Sequence, residues 1–283
     1  MAFKHKQNTK PLHAYICTPA YNGEVDSDYA QSLAETAFCC PMYNIQITAG
    51  VIGNVGFIEL ARNMFVKKFL EEYKDCTHLF FIDGDLKFES RAFVGLMRSG
   101  LPICAGLYRR RQAKEDYPLK CTENPEGGGL WFVNDWLQCD RVPTGFLCIS
   151  RRVLEEMAAE APCMEVADQK GGVPWLFDLK KEDVKSDTRP IAKTYGESTK
   201  MTENGLDPAG CFRLIGEDYT FCDKYMEKYK TPIPVWSNFE FTHHGFTGNF
   251  FKYLTEMKDA GEMVKTTDEK TNTREDCDTS SAA

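Results

Sequence analysis

The 283-residue chain has no CxxC pair, no apolar run near the ~18 residues that cross a bilayer, and no internal repeat. Without a CxxC there is no paired knuckle for zinc. The twelve cysteines are scattered, with Cys39-Cys40 the one adjacent pair, and a chain of this length does not need disulfide staples. They are expected to be buried apolar thiols in a reducing compartment, which points to the cytoplasm. The first residues, MAFKHKQNTKPLHAYIC, carry basic side chains but no continuous apolar segment behind them, so no secretory leader is expected. A basic surplus is missing as well. The net charge is −8, but from Glu256 to Ala283 eight acidic residues stand against four basic ones, so half the excess lies in the last tenth of the chain. The remainder is near neutral and does not exclude a nucleic-acid partner.

What is present fits an ordinary soluble globule, with 42% apolar and 27% charged residues and enough length for one large α/β domain or two small ones. LHAYIC (12–17) reads as a first strand closed by Thr18-Pro19, and a helix capped by Asp26 or Ser27 follows to about Thr36. YNIQITAG (43–50) alternates like a half-covered strand. After the glycine-rich link GVIGNVG, FIELARNMFVKKFLEEY places Phe57, Leu60, Ala61, Met64, Phe65 and Phe69 at helical spacing. HLFFIDGDLKF, SRAFVGLMRSG and LPICAGLY continue as strand, helix and strand. This order predicts a parallel sheet covered by helices, whose ligands bind beyond the carboxyl ends of the strands. The second half is less regular. LWFVNDW, RVPTGFLCIS and VPWLFDL read as extended pieces, RRVLEEMAAE and GEDYTFCDKYMEKYK as helices, and Lys180 to Gly210 as a long loop or flap. A strand at PVWSNFEF leads to Thr242-His243-His244-Gly245, a last helix covers Asn249 to Met257, and the acidic tail beyond about Thr266 is expected to be disordered.

Three groups of residues are candidates for chemistry. Asp83 and Asp85 flank Gly84 where an apolar strand ends. In an extended segment both carboxylates would point to one side, suiting Mg²⁺ or Mn²⁺ held largely through substrate phosphates, whereas the plainer reading is a turn with two solvated acids. His243 shares strand parity with Phe239 and Phe241 and would emerge where the apolar face stops. A neutral imidazole there can join a carboxylate on Mn²⁺, with the adjacent His244 as a rival and a structural hydrogen bond as the alternative. Glu217-Asp218 opens a helix, where acids are electrostatically favoured in any case, but one of them could serve as a general base.

In order along the chain, TPAYN, FIELARNMFV, THLFFIDGD, GLYRRR, VPTGFLCISRRVLEEM, GEDYTFCDKY and FTHHG resemble the nucleotide-sugar glycosyltransferases of the GT-A fold. The resemblance is nearest to the family-2-like enzymes often encoded by phages and large DNA viruses, and it spans roughly residues 12–255. It implies a Rossmann-like, mostly parallel central sheet with a smaller mixed acceptor-side region. Residues 1–265 would form a single domain, with a nucleotide-sugar half at about 12–115, an acceptor half at about 116–260 and the tail at 266–283. It implies that Thr18, Pro19, Tyr21 and Asn22 hold the base, with Tyr21 free to stack, and that Arg62 and Asn63 lie near the nucleotide and diphosphate. Asp83 would touch the ribose or a metal-bound water, Asp85 would ligate the metal, and His243 would add a ligand. Asp218 of the Glu217-Asp218 pair would be the base of an inverting transfer from a UDP-sugar. The basic-aromatic motif that processive members carry after the acid pair is absent, which argues against polymer synthesis.

For the acceptor side, Arg109, Arg110 and Arg111 after Tyr108 form either a solvated basic loop, a diphosphate clamp or a track for acceptor phosphates, including those of DNA. Trp131 and Trp136 flank a polar turn as a sugar platform or, for one of them, as core, and Gly145 matches the segment beside the acceptor in similar enzymes. The acceptor is expected to be a hydroxylated pyrimidine in viral DNA or a glycan or glycoprotein, and a viral protein would work in the host cytoplasm. Two other classes compete. A sugar-nucleotide pyrophosphorylase would need a glycine-rich, lysine-ended N-terminal loop that is missing here. A non-catalytic sugar-nucleotide-binding module would be expected to lose the acids or the histidine, all of which are kept.

Overall fold

The structure, a computed structural model, describes residues 11–167, 170–183 and 212–259. The tail and all but the first few residues of the expected flap lie outside that set. The first half contains β1 (Leu12–Ala20), α1 (Ser27–Cys39), β2 (Ile45–Gly53), α2 (Ile58–Glu71), β3 (His78–Ile82), β4 (Leu86–Phe88), α3 (Ser90–Met97) and β5 (Ile103–Gly106). In the second half come the short β6 (Lys120–Cys121) and β7 (Phe132–Val133), then β8 (Trp136–Arg141), β9 (Phe146–Ser150) and α4 (Arg151–Ala158). These are followed by β10 (Cys163–Met164), β11 (Val173–Pro174), β12 (Lys180–Asp183), β13 (Phe212–Ile215) and α5 (Glu217–Tyr229). The last elements are β14 (Ile233–Trp236), β15 (Phe241–His243), β16 (Phe246–Gly248) and α6 (Phe250–Asp259).

The central sheet runs β2-β1-β3-β9-β5-β14-β8-β6, with β7 also paired to β8. Its alternation builds a core on each face. Tyr15 and Cys17 of β1 and Leu79 and Phe81 of β3 pack with Phe65 and Phe69 of α2, Leu154 of α4 and Phe221 of α5. Ala14, Ile16, Phe80 and Ile82 point the other way, toward Tyr29 of α1 and Phe93 and Leu96 of α3. Each large side chain removed from water this way contributes about 1.5–3 kcal/mol. Among the described residues the cysteines are all free thiols, most of them buried, and no helix is long and apolar enough to cross a membrane.

The sheet is mixed and not mostly parallel. β1 runs parallel to β2 and β3, and β5 parallel to β14, but β9 lies between β3 and β5 antiparallel to both. β8 is antiparallel to β14 and β6. The apolar run FLCIS marks a strand buried on both faces, and such a run has no direction written in it.

Two local expectations also change. β1 and β2 run three residues past the predicted strand ends, so the glycine-rich link begins inside β2. Asp83-Gly84-Asp85 is not extended; it turns from β3 into β4, with the Leu86 N–H donating to the Asp83 carbonyl at 3.2 Å. Gly84 fits because a Cβ there would stand 3.1 Å from Val25 and 3.3 Å from Thr18, tighter than side chains ordinarily pack.

Candidate functional site

Beyond the ends of β1 and β3 lies a cleft of about 640 Å³. Its walls include Pro19 at the end of β1, Tyr21 and Asn22 just after it, Arg62 from α2, Asp83, Gly84 and Asp85 from the turn, Arg111, and Glu217 and Asp218 at the start of α5. These residues, from five separate stretches of chain, are those the sequence singled out.

Asp83 is the fixed point of the floor. Its N–H donates to the Gly145 carbonyl at 2.9 Å, which ties the turn to the start of β9. Its carboxylate accepts from Arg62 at 3.1 Å and from the Tyr108 hydroxyl at 3.4 Å. Arg62 is almost fully buried and also donates through Nε to Glu217 at 3.3 Å. Burial works against its charge, but Asp83 and Glu217 outweigh burial and its pKa rises. One guanidinium nitrogen, Nη1, is buried without a hydrogen-bond partner. Arg62 lines the cleft. Tyr108 also takes the Gly145 N–H at 3.1 Å, and burial raises its pKa far enough that it remains a phenol.

Asp85 faces a different set of groups. His243 Nε2 lies 3.6 Å from Asp85 Oδ2, and the Arg111 guanidinium reaches both, pairing with Asp85 and donating Nε to His243 Nε2 at 2.8 Å. The other imidazole nitrogen, Nδ1, is 3.0 Å from the Arg109 carbonyl. A carbonyl only accepts, so Nδ1 carries the proton and the Nε2 lone pair accepts the Arg111 N–H. Burial keeps the ring below the ordinary histidine pKa, against the opposing hydrogen bond to Arg109. His244 lines the cleft, which His243 does not; its backbone is left-handed (φ 50°), its N–H donates to the Asp85 carbonyl at 3.3 Å, and its Nδ1 lies 3.7 Å from Asp26.

These groups fit a divalent ion in part. Among the described residues no three His, Cys, Asp or Glu side chains are gathered for a metal, and Asp83 is turned to Arg62 and Tyr108. Asp85 and His243 remain as a pair. Asp85 Oδ1 is buried without a partner, and a backbone carbonyl orients the imidazole, an arrangement common behind metal-ligating histidines. One or two protein ligands, with the rest from phosphate and water, is the usual requirement of Mg²⁺.

Asp218 sits in the wall beside Glu217. Burial first, and then the Glu217 charge, push its carboxyl up to about 6, against the N–H of Tyr219 that it accepts at 2.7 Å. A carboxylate tuned toward neutrality in a cleft can take a proton from a hydroxyl.

Several expected residues are placed elsewhere. Asn63 is fully buried on the other side of α2, donating to the Phe177 and Glu59 carbonyls and accepting the N–H groups of Leu176 and Phe177. It anchors a loop and does not reach the cleft. Asn63→Ala is expected to cost about 2–4 kcal/mol in urea denaturation, because it removes the partner of four backbone groups. Thr18 is buried with its hydroxyl against that of Tyr29. Trp136 packs edge-on against Trp236 at 5.0 Å, and neither Trp131 nor Trp136 lines the cleft.

The arginine run is not an open basic track. Arg109 donates to the carbonyls of Gln112, Ala113 and Thr247, Arg110 pairs with Asp116 at 2.8 Å, and Arg111 is held by Asp85 and His243. The residue missed was Tyr108, the buried hydroxyl between Asp83 and Gly145. It ends the apolar run LPICAGLY, and its position where polarity begins was the available signal. Asp26 and Thr144 line the cleft as well.

No protein-family model and no curated protein matches this chain. Among solved structures it is similar to A197 from STIV, with 15% identity over 82% of this chain and 85% of that one and a TM-score of 0.42. A glycosyltransferase involved in the glycosylation of the major capsid of PBCV-1 is more distant, with 10% identity over 52% of this chain and 63% of that one and a TM-score of 0.28. Both similarities are too remote to carry a residue's role across.

Proposed function

We propose that the protein is a metal-dependent glycosyltransferase that moves a sugar from a UDP-sugar to an acceptor hydroxyl with inversion, one sugar at a time. The observation that carries this reading is the single cleft into which Arg62, Asp83, Asp85, Glu217 and Asp218 converge, with His243 behind Asp85. Tyr21, 79% exposed at the cleft, is available to stack on the base.

In the reaction, the Asp218 carboxylate accepts the acceptor's hydroxyl proton while that oxygen forms its bond to the anomeric carbon. The bond from that carbon to the diphosphate oxygen breaks, and its electron pair leaves with UDP. A bound Mn²⁺ or Mg²⁺, held by Asp85 and His243, would offset the charge that develops on the leaving diphosphate. Arg62 holds Asp83 and Glu217 in fixed positions around the donor. Because the arginines that would have followed DNA phosphates are internally paired, the reading carries no preference for DNA over a glycan or glycoprotein as acceptor.

A thermal-shift screen of nucleotide sugars with MnCl₂ tests this reading. A UDP-sugar at 100 times its Kd is expected to add about 2.7 kcal/mol of stability. The manganese-dependent part of that gain should vanish in Asp85→Ala, and UDP-sugar hydrolysis should fall with it. Stabilisation by no nucleotide sugar, or hydrolysis unchanged in Asp85→Ala, would overturn the assignment.

A further inference from the structure

Arg111 is the one residue of the arginine run that enters the cleft, and it holds both groups a divalent ion would use. Its guanidinium pairs with Asp85 and donates Nε to His243 Nε2 at 2.8 Å, while those two acceptors stand 3.6 Å apart. The imidazole lone pair is therefore spent on an arginine N–H, and the Asp85 charge is offset by a resident cation. The loop that presents Arg111 is fixed by other contacts. Arg109 donates to the Thr247 carbonyl of the β15–β16 hairpin at 3.3 Å and lies over the Phe246 ring, and Arg110 is tied to Asp116. The Arg111 side chain itself is 51% exposed, against 23% for Asp85 and 12% for His243. The loop's other contacts do not depend on the Arg111 side chain, while His243 is held through Nδ1 by the Arg109 carbonyl.

Resting on the glycosyltransferase reading, we propose that Arg111 is a resident counter-cation that blocks Asp85 and His243 against a bare divalent ion and exchanges them for a diphosphate. A guanidinium fits phosphate oxygens in two-pronged fashion as well as it fits a carboxylate. When a nucleoside diphosphate enters, Arg111 gains a new anionic partner and releases Asp85 and His243 to the ion arriving with it. Metal and diphosphate then bind with positive coupling, because each removes the obstacle to the other. Arg111 becomes a diphosphate-binding residue that also sets the order of assembly.

The test is Mn²⁺ binding, followed by the electron-spin signal of free MnCl₂ or by calorimetry, with and without UDP. The wild-type protein should bind MnCl₂ weakly alone and at least about tenfold more tightly with UDP. Arg111→Met keeps the length and removes the charge. It is expected to bind MnCl₂ alone about tenfold or more tightly than wild type, to lose most of the coupling to UDP, and to bind UDP itself less tightly. Adding Asp85→Asn to Arg111→Met should abolish the gain, which locates it at this pair. Near-wild-type Tm values would show that the half-exposed side chain was removed without unfolding. If Arg111→Met binds MnCl₂ no better than wild type while wild type with UDP binds it tightly, the exchange is wrong and the metal site stands. If neither the variant alone nor wild type with UDP binds MnCl₂, the metal reading fails and the exchange fails with it.

Discussion

Asp218→Asn is expected to reduce sugar transfer by about 10²–10⁴-fold, the usual weight of a positioned proton acceptor, while making the protein more stable at neutral pH. The two effects share one cause. Burial and Glu217 raise the Asp218 carboxyl from 3.8 to about 6, so between those values the folded protein holds a proton that the unfolded chain has released. The stability that this proton confers is fully present below about pH 4 and is lost as pH rises through about 6. Above that, the folded state carries a charge it would favour losing, at a cost on the order of 2–3 kcal/mol. Asparagine keeps an oxygen for the Tyr219 N–H and removes the charge. Urea denaturation at pH 4, 5, 6 and 7 should show the variant gaining on wild type as pH rises. Transfer by the wild type should climb through about pH 6, and the variant's residual rate should lack that step. A variant that binds donor normally and keeps full transfer would exclude Asp218 as the base.

The second large effect is expected at a residue that touches no proton. A Cβ on Gly145 would overlap both the Tyr108 hydroxyl and the Asp83 carboxylate, so Gly145→Ala forces apart the two groups that define the cleft floor. Overpacking of this kind costs about 1–3 kcal/mol. A displacement near 1 Å of a positioning group costs about 10²-fold in turnover. Tyr108→Phe removes the nearest of the three atoms in the way, so Gly145→Ala/Tyr108→Phe should be more stable than the sum of the single changes predicts. Wild-type Tm and transfer in Gly145→Ala would show that the floor yields more readily than its geometry suggests.

The contrast between Gly145 and Asp83 shows which parts of the site were legible in the sequence. Asp83, Asp85, Glu217, Asp218 and His243 could be read because each is a charged or titratable residue where an apolar run starts or stops, and such residues collect at strand ends and helix starts. The structural job of Gly145 could not be read, since it exists only because β9 inserts beside β3. Asn63 misled for the opposite reason. It adjoins Arg62 in sequence, but neighbours on a helix project about 100° apart, and one turned to the cleft while the other turned to Phe177. The arginine run looked like one patch because sequence shows charge and not partners; in the fold its three members answer to three different groups. The parallel set β1, β2 and β3 was legible, whereas the antiparallel direction of β9 and the strand β12 at Lys180–Asp183, where a flap was expected, were not. Periodicity reports which face is buried, whereas direction depends on where the chain re-enters the sheet.

The antiparallel insertion of β9 has a consequence for how this protein could be divided or rebuilt. Among the described strands, β9 (residues 146–150) stands between β3 and β5, so residues 12–115 do not contain a continuous sheet of their own. A fragment ending near residue 115 would leave two facing strand edges with a gap between them, and its carboxylate turn would lose the Gly145 carbonyl that fixes Asp83. A chimera joined at that point would therefore cut the sheet and not a boundary between two units. The point near residue 115 that looks like a boundary in sequence runs through the middle of the sheet in space, and a folded chimera would have to carry β9 with the strands it joins.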